Sequence, residues 1–246
     1  MQVKLVSITQ SLVKTEDQSR FLTAEELLIY IARVSNPANQ LNIDTAPKLI
    51  KHCLTNKHWS VFEQSDICFE IKTSRGIAAQ ILRHGKGFSF QEFSQRYSAA
   101  TELEPIELRR QAKTNRQSSL EVFDPEIPGS PDYEFGLCSY HPNSKASEII
   151  DHLQRSCLRV YDALLKAGVA KEVARFVLPL NTQTTLYMKG PVRSWLTYFN
   201  QRLHEHAQKE HRLIAVEEAK IFMELFPVVS SVYNNFETAQ TEYFLD

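Results

Sequence analysis

The chain has 246 residues, and its 28 Lys and Arg nearly balance its 29 Asp and Glu, leaving a formal net charge of −1. That balance excludes the basic field of a non-specific nucleic-acid binder and gives no polybasic surface for an anionic membrane. No apolar stretch is long enough to span a bilayer. The opening Met-Gln-Val-Lys-Leu-Val-Ser-Ile alternates like a first strand and does not read as a signal peptide.

In chain order, Val3–Thr9 alternates as a strand does. Thr23-Ala-Glu-Glu26 has the spacing of a capping box, with Thr23 as N-cap and Glu26 reaching back. The helix it opens runs through Leu27, Leu28, Tyr30 and Ile31 towards Ser35, and Asn36-Pro37 stops it. Leu49, Ile50, Cys53 and Leu54 recur at helical spacing and predict a second helix before His58. Ser65–Lys72 reads as a strand and Arg75–Leu82 as a helix. Ala99–Tyr140 holds four prolines and a charged run from Glu107 to Lys113, and predicts an extended excursion with at most short structure.

Beyond Pro142, the apolar set Ile149, Ile150, Leu153, Cys157, Val160, Tyr161 and Leu164 predicts a helix ending near Gly168. Lys171–Val177 predicts a shorter one that stops before Pro179, and Thr182–Met188 is β-prone. Gly190-Pro191 predicts the start of one long helix, with proline at its first position, continuing to Phe226. There is no internal repeat and no linker, so a single α+β domain over 1–246 is expected.

Four regions carry candidate chemistry. Between Gln80 and Tyr97 stand Arg83, His84, Lys86, Ser89, Glu92, Ser94, Gln95 and Arg96, interleaved with Phe88, Phe90 and Phe93. Arginines clamp phosphate bidentately, hydroxyls and backbone N–H groups complete a cradle, and flat aromatics wall a ring or fill core. His58-Trp-Ser60-Val-Phe-Glu63 reads either as part of the same site or as a turn capped by Ser60 with Glu63 solvated. Glu172 and Arg175 share a helix face as a ligand site or as an exposed ion pair, and Val173, Phe176 and Val177 predict that Arg175 borders a buried surface. Arg193 and Arg202, nine apart, fall on opposite sides of a helix, so that one helix could serve two ligands or two subunits' sites.

His204, Glu205, His206 and His211 lack the convergent spacing of a metal site, and no metal is expected; apart from His206 these histidines read as solvent-facing. Met188, Trp195, Tyr198 and Phe199 read as core. The cysteines at 53, 68, 138 and 157 are widely spaced, form no CxxC pair, and read as reduced thiols of a cytoplasmic protein.

Taken together, Arg83-His84, Ser94-Gln95-Arg96-Tyr97, His58-x-Ser60-x-x-Glu63, the Glu172–Pro179 block and Arg193 to Gln208 resemble, in the same order, the blocks of the flavin-dependent thymidylate synthases. The chain departs from that pattern at Gly85, where the family has a third arginine, and by one extra residue before Ser94; Lys86 is the neighbouring charge. Pro191 and Thr197 stand where many relatives have asparagine.

The resemblance implies a thymidylate synthase-complementing protein fold, an α+β domain whose central, mostly antiparallel sheet is flanked by long helices. It implies reductive methylation of dUMP to dTMP, with 5,10-methylenetetrahydrofolate as carbon donor and FAD, recharged by NADPH, as hydride source. No cysteine nucleophile is involved. The implied dUMP set is Gln80, Arg83, Glu92, Phe93, Ser94, Gln95, Arg96, Arg175 and Arg202, with Arg202 stabilising the ionised pyrimidine as the catalytic residue. The implied FAD set is Ser35, His58, Ser60, Glu63, Arg83, His84, Lys86, Glu92, Arg193 and His206. A homotetramer with shared sites follows from the same resemblance, with no DNA or membrane partner. Gly85 leaves a second reading open, a nucleotide or flavin sensor that has lost methyl transfer.

Overall fold

The computed structural model describes residues 1–96, 102–114, 119–128, 144–233 and 236. They fall into two compact units, one of Met1–Lys72, Ala79–Glu92 and Thr185–Asp246, the other of Thr73–Ala78 and Phe93–Thr184. Along the chain the elements are β1 (Gln2–Ile8), α1 (Ala24–Ala32), α2 (Ala46–Thr55), β2 (Asp66–Ser74), α3 (Arg75–Ile81), β3 (Ser89–Glu92), β4 (Arg109–Gln111), β5 (Ser119–Val122), β6 (Glu126–Ile127) and β7 (Ser144–Lys145). There follow α4 (Ala146–Lys166), α5 (Lys171–Ala174), β8 (Gln183–Pro191), α6 (Val192–Arg202), α7 (Lys209–Leu225) and α8 (Pro227–Val232). The expected α+β fold, a largely antiparallel sheet with helices, is what these elements build.

In the first unit the sheet order is β1-β2-β8-β3. β1 runs antiparallel to β2, with Val3 opposite Ile71 and Leu5 opposite Phe69, and β3 runs antiparallel to β8, with Phe90 opposite Met188. Period-two alternation sends Ile67, Phe69 and Ile71 inward, all fully buried. Phe69 meets Trp195 of α6 edge-on at 5.0 Å, and Phe199 and Phe222 continue the aromatic core between α6 and α7. Burying such rings stabilises by about 1.5–3 kcal/mol each.

The capping box of α1 forms as expected: Glu26 N donates to Thr23 Oγ1 and Thr23 N donates to Glu26 Oε2. Its neighbour Glu25 is buried and accepts from Val229 N, in the first turn of α8, where the helix dipole favours an anion.

The expected helix from 190 to 226 is two helices. α6 ends at Arg202 and α7 begins at Lys209. No Pro or Gly marks the break. Instead His204 turns on itself, its Nδ1 accepting from His206 N and its carbonyl from Ala207 N, and these local bonds compete with the helical ladder. Pro191 is the N-cap of α6 and not its first helical residue, because β8 runs through it. The break also resets the phase of α7, so that His211, expected at the surface, is fully buried.

In the second unit α4 ends where Gly168 adopts φ +86°, as its glycine predicts. Within the expected excursion β4 and β5 pair antiparallel, and β6 pairs with β7 beyond its end. The Arg110 guanidinium lies 3.7 Å over the Phe123 ring. The rest of the 99–140 excursion falls outside the described residues, apart from 102–114 and 119–128, as do Tyr97 and Cys138. Val173 and Phe176 do not border a buried surface: Phe176 is 78% exposed and Leu180 76%.

Candidate active site

The turn after α3 closes through His84 N to Ile81 O and Arg83 N to Gln80 O. It reverses into β3 at Gly87, whose φ of +79° suits glycine. A Cβ on Gly87 would stand 2.2 Å from Ser194 Oγ, and one on Gly190 would stand 2.5 Å from the Phe88 ring. The turn is therefore pressed against the end of β8 and the start of α6. Between them opens a cavity of about 700 Å³. Arg83, His84 and Lys86 line it from the turn. Arg193, Ser194, Thr197, Tyr198 and Gln201 line it from one face of α6, and Glu63 closes one side.

Three cations thus face one carboxylate. Arg193 Nη1 donates to Glu63 Oε1, and its guanidinium lies 5.7 Å over the Trp59 ring. Arg202, at the far end of α6, donates from Nε to His84 Nε2 at 2.8 Å. Arg193 lines the cavity, whereas Arg202, on the opposite side of the helix, is not among its lining residues and meets the wall through His84. His84 must accept at Nε2, so its imidazole is neutral. Burial, then Arg202 and Arg83, push it down to about 4.

Behind His84 lies a polar group in an apolar interior. His211 Nε2 is 3.1 Å from the Tyr198 hydroxyl, and His84 packs edge-on against both rings, at 5.0 Å from Tyr198 and 6.0 Å from His211. Burial, then Arg202 and His84, push His211 down to about 3. Glu218, fully buried, is pushed up to about 8 by burial, against a smaller opposing pull from the Tyr198 hydroxyl. The phenol is itself raised well above its ordinary value, by burial first and then by Glu218. Among the described residues, neither Glu218 oxygen nor His211 Nδ1 has a hydrogen-bond partner of good geometry. Each such group costs about 1–3 kcal/mol.

Of the residues expected at the flavin, the cavity gathers Glu63, Arg83, His84, Lys86 and Arg193. Lys86 does reach the wall beside Gly85. Ser35, His58, Ser60, Glu92 and His206 are not among the lining residues. Ser35 follows α1, His58 and Ser60 flank the start of a 3-10 turn at Trp59–Glu63, Glu92 ends β3, and His206 is exposed beside His204. Of the residues expected at dUMP, Gln80 donates to Gln208 Oε1 at 2.6 Å. Phe93, Ser94, Gln95, Arg96 and Arg175 belong to the second unit.

In that unit Arg96 pairs with Glu172 at 3.3 Å, while Arg175 donates to the Glu172 carbonyl. The alternative reading of Glu172 and Arg175 as an ion pair does not hold: Glu172 pairs with Arg96 instead. Sequence reasoning missed Ser194, Thr197 and Gln201. Their signal was the spacing 194, 197, 201, one helical face. Tyr198, read as core, is both core and cavity wall.

The thymidylate synthase complementing protein family model matches residues 18–228. The chain belongs to the thymidylate synthase complementing protein family. It is 44% identical, over 94% of its length and 98% of the relative's, to the flavin-dependent thymidylate synthase of Synechocystis. It is 42% identical, over 94% and 97%, to the probable flavin-dependent thymidylate synthase of Paramecium bursaria Chlorella virus 1. The UMP/dUMP methylase PolB of Streptomyces cacaoi, solved with 5-Br dUMP, shares the fold at a TM-score of 0.71, covering 96% of each chain at 20% identity. The family expected from the sequence blocks is thus the one matched.

Proposed function

We propose that this family member reductively methylates dUMP to dTMP, taking the carbon from 5,10-methylenetetrahydrofolate and the hydride from FAD reduced by NADPH. The observation that carries the reading is the cavity in which Glu63, Arg83, His84, Lys86 and Arg193 converge, with Arg202 anchored on His84. Its volume lies in the range of cofactor sites, and its three cations suit an anionic ligand that carries a flat ring. The residues present therefore fit a flavin nucleotide. Bound there, the flavin supplies a hydride.

The protein's own groups bind and orient. Arg83, Lys86 and Arg193 offset phosphate charge, and Glu63 holds the Arg193 fork in place. The rest of the FAD set is Ser35, His58, Ser60, Glu92 and His206. The dUMP set is Gln80, Arg83, Glu92, Phe93, Ser94, Gln95, Arg96, Arg175 and Arg202. Ser94, Gln80 and Arg96 hold phosphate and sugar, and Arg175 and Arg202 meet the uracil carbonyls. Arg202 retains terminal nitrogens with no hydrogen bond among the described residues, so it can answer negative charge developing on the pyrimidine.

No described cysteine lines the cavity, and burial pushes the Cys53 and Cys68 thiols up, away from the thiolate a nucleophile needs. Phe176 and Leu180 are large apolar side chains left exposed, which supports our proposal of a homotetramer with shared sites. No described helix is long and apolar enough to cross a membrane. We place the enzyme in the cytoplasm and treat 1–246 as one catalytic domain.

Release of tritium from 5-tritiated dUMP, dependent on methylenetetrahydrofolate and NADPH, tests the reading. A yellow protein that bleaches with NADPH yet releases no tritium would make it a flavin sensor instead.

A further inference from the structure

Tyr198 and Arg202 stand four residues apart on one face of α6, and His211 and Glu218 stand seven apart on one face of α7. Their side chains make a polar seam in an interior otherwise filled by Trp195, Phe199 and Phe222. Hydrophobic residues of similar size would pack there without leaving His211 Nδ1 and both Glu218 oxygens unsatisfied. The seam ends at the Arg202–His84 bond, on the cavity wall.

We propose that Tyr198, His211 and Glu218 are positioning residues that hold His84 as the acceptor of the Arg202 Nε–H and so fix the guanidinium against the cavity-lining imidazole. The inference rests on the reading of that cavity given above. Tyr198 and His211 are the two edge-on neighbours of the His84 ring, at 83° to it in both cases, so together they limit its rotation. Their own contact, 3.1 Å from Nε2 to hydroxyl, ties the two rings to each other. Glu218 backs the phenol. A buried carboxyl that keeps its proton gives Arg202 no anion to turn towards, and the arginine charge remains available to a ligand.

The test uses the full chain, with histidine rings labelled with nitrogen-15, as wild type, Tyr198→Phe, His211→Leu, Glu218→Leu and Glu218→Gln. The His84 resonance is assigned from His84→Asn, and melting temperatures verify folding. At pH 7.5 the wild type is expected to show a single His84 tautomer with unprotonated Nε2. Tyr198→Phe, which keeps the ring, and His211→Leu are expected to give a mixture.

Over the same variants kcat for dTMP formation should fall on the order of tenfold to a hundredfold, with KM for dUMP little changed, as expected for a displaced transition-state group. Glu218→Gln should recover most of what Glu218→Leu loses. An unaltered His84 tautomer in Tyr198→Phe and His211→Leu overturns the inference, and so does unaltered kcat in an active enzyme. A wild type that makes no dTMP, while Tyr198→Phe and His211→Leu still change the His84 tautomer, overturns the proposed function and leaves the positioning role standing.

Discussion

Arg202 Nε donates to His84 Nε2 across 118 residues of chain, and the bond exists only while the imidazole is unprotonated. It joins the last turn of α6 to the glycine-rich turn that walls the cavity. Arg202→Ala removes both this tie and the cation proposed to answer charge on the pyrimidine. The loss expected in kcat is about 10²–10³-fold, the usual cost of a transition-state charge donor. Arg202 is only half-buried, so circular dichroism and melting should show a folded protein. Arg202→Lys should recover little, because an ammonium lacks the planar fork. Turnover near wild type in Arg202→Ala would remove the assigned role.

The same region sets how stability depends on pH. The ordinary value of 6.5 falls to about 4 for His84 and about 3 for His211. Below pH 6.5 the unfolded chain binds more protons than the folded one at both rings, so stability is lost as pH falls from 6.5 towards those values. Glu218 has the opposite sign. Its value rises from 4.5 to about 8, so the folded state holds the extra proton and stability is lost as pH rises through that window. Between 4.5 and 6.5 two histidines outweigh one carboxyl; above 6.5 the carboxyl acts alone among these three. Thermal melts should therefore peak between pH 6 and 7. Glu218→Gln should flatten the alkaline limb and His211→Phe should shallow the acid one. Equal slopes in wild type and variants would contradict this account.

Much of this was legible along the chain where local chemistry decides structure. The Thr23–Glu26 box, the Gly168 stop and the alternation of Ile67, Phe69 and Ile71 involve neighbours only, and each forms as its pattern implies. The cavity was legible in part: Glu63, Arg83, His84, Lys86 and Arg193, which the family resemblance implies at one site, do line one cavity. The break at 203–208 was not legible, because helix-forming residues fill it and a histidine side chain, not a proline or glycine, stops the helix. That single error turned His211 outward in the sequence reading and concealed the Tyr198–His211–Glu218 seam. Glu218 gave no sign of its own, since a glutamate on an amphipathic helix ordinarily faces water.

The Glu63–Arg193 pair separates binding from stability. Both side chains are nearly half exposed, at 44% and 46%, so the pair contributes at most about 1 kcal/mol to folding. Its larger effect is to hold the Arg193 fork against the cavity. Glu63→Ala should shift the melting temperature by only a few degrees while the protein purifies with clearly less flavin, read from its visible absorbance. Full flavin content in Glu63→Ala would show that the fork needs no such holder.

Two glycines on the same turn-and-strand contact predict opposite outcomes. A Cβ at Gly190 meets the Phe88 ring and the Gly87 carbonyl at 2.8 Å, and neither can withdraw without shifting the turn from α6. Gly190→Ala should cost about 1–3 kcal/mol, the usual price of overpacking, and lower the melting temperature by several degrees. Gly85 has nothing within 4 Å of the position a Cβ would take, and its φ is not in the left-handed region. Gly85→Ala should therefore be neutral or stabilise by up to about 1 kcal/mol, through the unfolded chain. Gly85→Arg should fold equally well and place a fourth cation at the mouth beside Lys86. If that cavity takes a flavin nucleotide, Gly85→Arg should retain more of it through dialysis than wild type, with the difference shrinking as salt is raised. Equal retention at low salt would show that Lys86 already satisfies the position.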